Sequence, residues 1–437
     1  MLQGPIIPIL VRIMGVMLVS AMFQQLCAIG EAFLAGRFAP AATLSIIGGS
    51  CNTLIGLFNS LSGGLVTGSM MAIAISCGRG DQRQSAAGVH AALALAAALG
   101  LLTAAAYMLA ARPLLSFLQV PAALIDGSAR YLRLYALGFI PSAIFQTIIG
   151  AQRASGLSHQ PTRLLIGSYV VNIILDAILV GAARLAQTGI ALAFVITQSV
   201  CCLVGLRVLY GTRFWNQLRR PVDRTMIRDI LAIAVPAAAA SAVYSLTNML
   251  VQSFINRLGT LTITAFALHA RIENVYWIIM SSIGLAVTSF VGQNHGAGQP
   301  GRVWAAARSG ILLSWGITVL TSMVFAWAGP YLTRVLTADA AAAGRGASIL
   351  AYMAPFYFLY PPIEVLGPVL RCQGRSLSVT VITIICICGV RTAWILGYAL
   401  GHLSFQSVLA AFPLSWLAAS AVFGAYAVAL RRHGRSH

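Results

Sequence analysis

The sequence predicts an all-α polytopic membrane protein, with twelve transmembrane helices in two six-helix lobes related by a pseudo-two-fold axis along the membrane normal. Three observations predict it. Of the 437 residues, 59% are hydrophobic and 8% charged, against about 25% charged in an average soluble domain. The apolar residues fall into twelve long runs. Two turn signatures recur at one fixed offset, close to half the chain length. This composition excludes an ordinary soluble domain, a disordered chain and a fibrous one. The formal net charge of +19 would suggest nucleic acid in a soluble chain, so a membrane reading has to account for it.

A membrane helix needs about 20 mostly apolar residues. Bounded by turn and charge signals, the runs lie near 8–35, 43–76, 87–110, 130–152, 162–182, 187–210, 230–256, 262–292, 304–328, 346–370, 377–399 and 405–430. The first lacks a short apolar core followed by a small-residue cleavage site, so it is expected to be a retained span rather than a removed signal peptide. Gly63, Gly64 and Gly68 in the second run permit close helix approach. Asp81 is expected to cap the third helix or to pair with Arg83. The fifth run carries Asn172 and Asp176, the eighth opens on Arg271 and Glu273, the tenth holds Tyr360 and Glu364 around Pro361-Pro362, and the eleventh holds Arg391. An N-terminal lobe is expected over 1–210, a polar cytoplasmic linker over 211–229 and a C-terminal lobe over 230–437.

The basic residues are all arginine, which reads as genome composition. With both termini cytoplasmic, 17 arginines fall in inside segments, 8 in outside segments, and Arg12, Arg271 and Arg391 lie within or at the ends of spans. That asymmetry follows the positive-inside bias. The net charge is then mostly a topology signal and an attraction to anionic lipid headgroups. No nucleic acid partner is expected. The eight cysteines, four of them (201, 202, 386 and 388) inside apolar runs, read as small core residues rather than a disulfide or metal framework. No structural metal is expected.

Gly78-Arg79-Gly80 follows the second run and Gly296-Ala297-Gly298 the eighth. Arg153-Ala154-Ser155-Gly156 follows the fourth and Arg371-Cys372-Gln373-Gly374 the tenth. The step from Gly78 to Gly296 equals the step from Arg153 to Arg371. One such pair would mean little, because glycine turns are common between helices. Two pairs at one offset indicate a duplicated six-span unit, a transporter architecture with its site between the repeats.

These turns carry a family resemblance. Phe290-Val291-Gly292-Gln293-Asn294-His295-Gly296-Ala297-Gly298 resembles the turn after the eighth span of the multidrug and toxic compound extrusion (MATE) transporters. Arg153-Ala154-Ser155-Gly156, Pro161 and Val171-Asn172-Ile173-Ile174-Leu175-Asp176 are similar to the family's fourth-loop and fifth-span pattern. Gly30-Glu31-Ala32-Phe33-Leu34-Ala35-Gly36 resembles its first-span motif, with Glu31 where Asp is usual. Leu258-Gly259-Thr260, Arg271-Ile272-Glu273 and Gly389-Val390-Arg391 fit later motifs, so the resemblance runs over nearly the whole chain.

The resemblance implies a multi-pass inner-membrane antiporter, not an enzyme, that exports organic cations, drugs or toxic metabolites by alternating access, without cofactors. The coupling ion is H+ or Na+, with H+ favoured. In the DinF-like and archaeal branch the coupling acid of the first span matches Glu31, and the fifth-span Asn and Asp match Asn172 and Asp176. Na+ is the alternative occupant of those three. Acids that NorM-like members use in the seventh and tenth spans correspond to Tyr244 and Tyr360. This departure counts against a C-lobe Na+ site. A sixth-span Thr corresponds to Phe194, with Thr197 nearly one turn on. A monomer in membrane lipid is expected. The alternative is a lipid-linked precursor flippase of the same superfamily, which needs a strongly basic cavity.

The residues themselves support part of this. A carboxylate near the bilayer centre costs at least about 2.5–3.5 kcal/mol unless it is paired, protonated or hydrated. Asn172 and Asp176 are i and i+4 and share a helix face. With Glu31 they form a group able to hold a proton or a small hard cation. The alternative is an interfacial Asp176 and an Asn172 bonded to a neighbouring helix. For a substrate cavity the candidates are Glu364, Tyr360, Tyr357, Phe356 and Tyr244, because aromatic faces attract organic cations and the prolines suggest a cavity or hinge. Arg271–Glu273 reads as a structural pair near the membrane surface, His269 as a helix contact, and Arg391 as needing a partner or a headgroup, with Glu364 one option.

Overall fold

Four glycines end helices in the same left-handed way, and they are the last glycines of the four repeated signatures. In the computed structural model Gly80 and Gly298 have φ of 73° and 68°, and Gly156 and Gly374 have φ of 88° and 76°. Only glycine adopts this conformation without a steric penalty, so it suits the residue after a helix end. The turns also share hydrogen bonds. Leu157 N donates to Gln152 O at 3.0 Å, and at the matching place in the second repeat Arg375 N donates to Leu370 O at 3.1 Å. The repeat is therefore a repeat of backbone geometry.

The structure describes residues 1–38, 43, 46–47, 50–118, 120–157, 159–210, 223–337, 339–402 and 404–433. Most of the expected linker, 211–222, with Arg213, Arg219 and Arg220, lies outside them, as does Arg435. The described elements are α1 (Ile6–Phe38), α2 (Ser50–Gly78), α3 (Gln82–Phe117), α4 (Ala122–Ala136), α5 (Phe139–Ala154), α6 (His159–Asp176), α7 (Ala186–Tyr210) and α8 (Arg224–Asn256). They continue as α9 (Thr260–Gly296), α10 (Pro300–Leu336), α11 (Ala340–Met353), α12 (Pro361–Cys372), α13 (Ser376–Ile382), α14 (Val390–Trp394) and α15 (Phe405–His433). Among the described residues, eleven helices are long and apolar enough to cross a membrane. The pair Leu124–Ala136 and Phe139–Ala154, bent by 45°, makes a twelfth. Helix α8 begins at Arg224, before the span expected from 230, so 224–229 is helical.

The helix starts follow local chemistry. Asp81 caps α3 by accepting from Gln84 N at 2.9 Å. Asp339 caps α11 by accepting from Ala341 N and Ala342 N at 2.9 and 3.1 Å. Asp223 accepts from Thr225 N and Thr225 Oγ1 at 2.9 and 2.7 Å before α8. Each carboxylate occupies a helix N-terminus, where free N–H groups favour negative charge.

The chain divides into two compact units, Gly15–Ala238 and Met1–Met14 with Ala239–His437. In the first, α3 packs against α2, α4 and α5, and α7 against α4, α5 and α6. Phe58 stacks on Phe139 with centroids 3.9 Å apart, and Tyr107 donates to Leu54 O at 2.7 Å. Gly64 and Gly68 seat α2 against α8. A Cβ on Gly64 would lie 2.7 Å from Ala238 N, and one on Gly68 2.6 Å from Ile230 O. Gly63 faces open space, so the packing role holds for two of the three glycines. In the second unit, α9 packs against α10, α11 and α12, and α15 against α12 and α14.

The exterior carries the apolar side chains expected against lipid. Leu320, Met323, Trp327 and Tyr331 form an exposed stripe on α10, with Trp327 at 89%. All eight cysteines are free and six are buried, as expected of small core residues.

Candidate functional site

Glycine brings α1 and α6 together beside the acids. Any side chain at Gly30 would overlap Ile173 Cδ1. Glu31 follows Gly30, and Asn172 precedes Ile173. A shared site for these acids requires the first and fifth spans to meet, and this contact is where they do. Glu31 and Asp176 lie within electrostatic reach of each other. Both reach Tyr131 and Tyr135 on α4, and Asp176 also reaches Cys27, one turn before Glu31.

Asp176 is 1% exposed, and neither carboxylate oxygen has a hydrogen-bond partner among the described residues. It is the last residue of α6 before a π-helical turn, Ala177–Ala182. Such turns are frequent at functional sites. Asn172 Nδ2 donates to Thr197 Oγ1 at 3.5 Å, so Thr197 supplies a hydroxyl to this cluster from α7. Phe194 lies flat on Tyr135, with centroids 3.9 Å apart and planes at 6°. Two carboxylates, an amide, a hydroxyl and two phenols thus converge in one unit. Oxygen-rich, partly desolvated groups of this kind suit a proton or a small hard cation.

The second unit has its own cluster. A cavity of about 210 Å³ has Tyr244, Asn248, His269, Glu273, Trp277 and Phe412 in its wall. Glu273 Oε1 accepts from Tyr357 OH at 2.9 Å, and Glu273 Oε2 lies 3.5 Å from His269 Nε2. Arg271 is exposed, and the described partners of Glu273 are His269, Tyr357 and Trp277. The expected Arg271–Glu273 surface pair gives way to a largely buried His–Glu pair facing a cavity. The i, i+4 spacing of His269 and Glu273 puts both side chains on one helix face.

Of the C-terminal cavity candidates, Tyr244 lines the cavity and Tyr357 holds Glu273. Glu364 Oε2 accepts from Tyr360 OH at 3.0 Å, and its other oxygen fills the space left by Gly284. Phe356 packs on Tyr352 at 5.6 Å. Tyr357 and Phe356 belong to a 3₁₀ turn, Ala354–Leu359, between α11 and α12. Glu364, Tyr360 and Phe356 are therefore placed around the cavity-bearing helices rather than in the wall described above. Arg391 is fully buried and finds partners in Asn248 Oδ1 at 2.8 Å and Ser415 Oγ at 3.1 Å, not in Glu364.

The chain matches MatE twice, over residues 17–178 and 236–398. The second match begins after the first by nearly the step that separates the repeated turns. The chain is 27% identical over 383 residues to the probable multidrug resistance protein YoeA of Bacillus subtilis, covering 83% of this chain and 81% of that one. It is 24% identical over 337 residues to the probable multidrug resistance protein YpnP of the same organism, covering 77% and 74%. The structure superposes on a MOP superfamily transporter from Pyrococcus furiosus with a TM-score of 0.88, 18% identity and coverage of 97% and 96%.

Proposed function

The chain belongs to the MatE family, and on that premise we propose that it is a cation-coupled antiporter of the inner membrane. It exports organic cations, with H+ rather than Na+ as the coupling ion. The relatives YoeA and YpnP bear the name of probable multidrug resistance proteins, which supports a small-molecule export role. Glu31, Asn172 and Asp176 are the coupling residues in this reading.

The observation that carries it is Asp176: almost fully buried, with both oxygens unpartnered among the described residues, and within reach of a second acid. Burying an unpaired carboxylate is expensive. Two neighbouring carboxylates repel when both are ionised. The pair is stable when a proton or a cation occupies it, and costly when it is empty and ionised. Occupancy from outside, then release inside, is what coupling requires. Asn172 and Thr197 hold an amide and a hydroxyl ready beside the acids. In the second unit, Tyr244 and Trp277 offer aromatic faces and Glu273 a negative charge to an organic cation.

One charge moved through 100 mV is worth about 2.3 kcal/mol. Exchange of one H+ for one monovalent cation moves no net charge, so the pH gradient alone drives it, at about tenfold per pH unit. A precursor flippase would need a strongly basic cavity. The described wall of the C-terminal cavity holds aromatic, aliphatic, amide, His and Glu side chains instead, which favours export of cations. The test is efflux of a fluorescent cation from vesicles under separately imposed pH and Na+ gradients. pH-driven efflux should vanish in Asp176→Asn at normal expression. Full efflux by that variant sinks the assignment.

A further inference from the structure

We propose that Arg391 is a tethered cation. It occupies, in the second unit, the place where the first unit takes an exchangeable one, so the coupling-cation site of the first unit is not duplicated in the second. This rests on the coupling reading for Glu31 and Asp176, and concerns what the repeat did with the other copy of that site.

The offset between the turn signatures carries the coupling site into the second unit residue by residue. Gly30 corresponds to Asn248, Ile173 to Arg391, Phe194 to Phe412 and Thr197 to Ser415. All four counterparts touch at one point. The Arg391 guanidinium donates to Asn248 Oδ1 at 2.8 Å and to Ser415 Oγ at 3.1 Å, and stands 4.4 Å from the Phe412 centroid. In the first unit, Gly30 abuts Ile173, Thr197 accepts from Asn172, and Phe194 packs on Tyr135. The local helix form is shared in part: the π-helical turns Ala177–Ala182 and Ile395–Ala399 start at matching positions of the two repeats, while the π-helical turn Thr383–Gly389 before Arg391 has an α-helical counterpart. Both repeats therefore build the same frame, and the contents differ.

The difference is one of charge. The acids Glu31 and Asp176 correspond to Met249 and Trp394, so the second copy has lost its carboxylates. It has gained a guanidinium, 0% exposed, bound by neutral oxygens and lying over two aromatic rings, Phe412 and, at 5.5 Å, Tyr244. A frame with acids needs a cation from outside. A frame with neutral acceptors and aromatic faces holds the guanidinium supplied by the chain itself. The acid of the neighbouring cavity, Glu273, shares that wall with Asn248, Tyr244 and Phe412. The other titratable groups around it are His269, Tyr357, Tyr276 and Tyr244.

The experiment is chemical rescue of the purified full-length protein in detergent, using guanidinium chloride as the probe. Arg391→Ala should lower the melting temperature by several degrees. Millimolar guanidinium should restore most of the loss, and equal tetramethylammonium chloride should not. The ion fits only the hole left by the side chain, so wild type and Asp176→Asn should show no such rise. An Arg391→Ala variant that melts like wild type, or that ignores guanidinium, overturns the proposal. If Arg391→Ala yields no folded protein, expression in medium containing guanidinium decides: recovery of folded protein supports the tethered cation, and none overturns it. Full efflux by Asp176→Asn would remove the coupling reading while leaving the rescue result intact, so the two failures are distinguishable.

Discussion

Gly284 makes the space that the Glu364 carboxylate fills. A Cβ at position 284 would overlap Glu364 Oε1, while Glu364 Oε2 accepts from Tyr360 OH at 3.0 Å. The carboxylate is thus fixed from both sides, by a missing side chain on α9 and by a phenol one turn earlier in the chain. Gly284→Ala should destabilise the protein by about 1–3 kcal/mol, the usual range for overpacking. Glu364→Ala should partly relieve that cost in the double variant, because residues in contact are not additive. Thermal unfolding of the four proteins in detergent checks it. Strictly additive shifts would mean that the two positions do not share this space.

Gly68 makes a sharper steric test, because the obstacle is backbone. A Cβ there would lie 2.6 Å from Ile230 O and 2.8 Å from Ala234 N on α8, and neither atom can rotate away. Gly68→Ala should separate α2 from α8 and cost at least about 1–3 kcal/mol. Gly63→Ala, facing open space, is the matched control and should be neutral or slightly stabilising through helix propensity. Equal melting temperatures for the two variants would contradict the packing.

The architecture was legible because lipid and repetition both leave marks along the chain. Twelve apolar runs and two signatures at a fixed offset were enough for the helices. The last glycine of each signature turned out to hold a left-handed helix end. The acids in the apolar runs stood out because burying charge is costly, and Asp176 is indeed buried. Pairings were not legible. Whether Glu273 meets Arg271 or His269 depends on which helix face turns inward, and the pair sits on α9 with Tyr357 arriving from a distant stretch of the chain. Arg391 shows the same limit. Its need for partners was plain, but Asn248, far away in sequence, emerges only when α8 and α14 meet.

Thr197 should prove to be a working part of the candidate coupling cluster. It is 1% exposed and accepts from Asn172 Nδ2 at 3.5 Å. Thr197→Val keeps the shape and removes the acceptor. The part-buried Asn172 amide then loses this partner, at a cost of no more than about 0.5–1.5 kcal/mol. pH-driven efflux should fall in Thr197→Val and survive in Thr197→Ser, which retains the hydroxyl. Efflux equal to wild type in Thr197→Val would leave the hydroxyl without a role there.

Arg302 should control the order of the N-terminal segment. Its Nη1 donates to Gly4 O at 3.1 Å, its Nη2 to Met1 O at 3.2 Å and its Nε to Asn294 Oδ1 at 2.9 Å, while the guanidinium stands 5.5 Å from the Phe290 centroid. Three acceptors in three directions match the planar fork of arginine. The point charge of lysine cannot serve them together. Arg302→Lys should therefore behave like Arg302→Ala, with both variants gaining hydrogen exchange in the residues that lead into α1. Asn294→Ala removes only the Nε contact and should loosen the segment less. Both carbonyls belong to the short stretch ahead of α1, so the effect should be local, with little change in the global melting temperature. If Arg302→Lys protects the segment as well as wild type does, charge rather than fork geometry holds it.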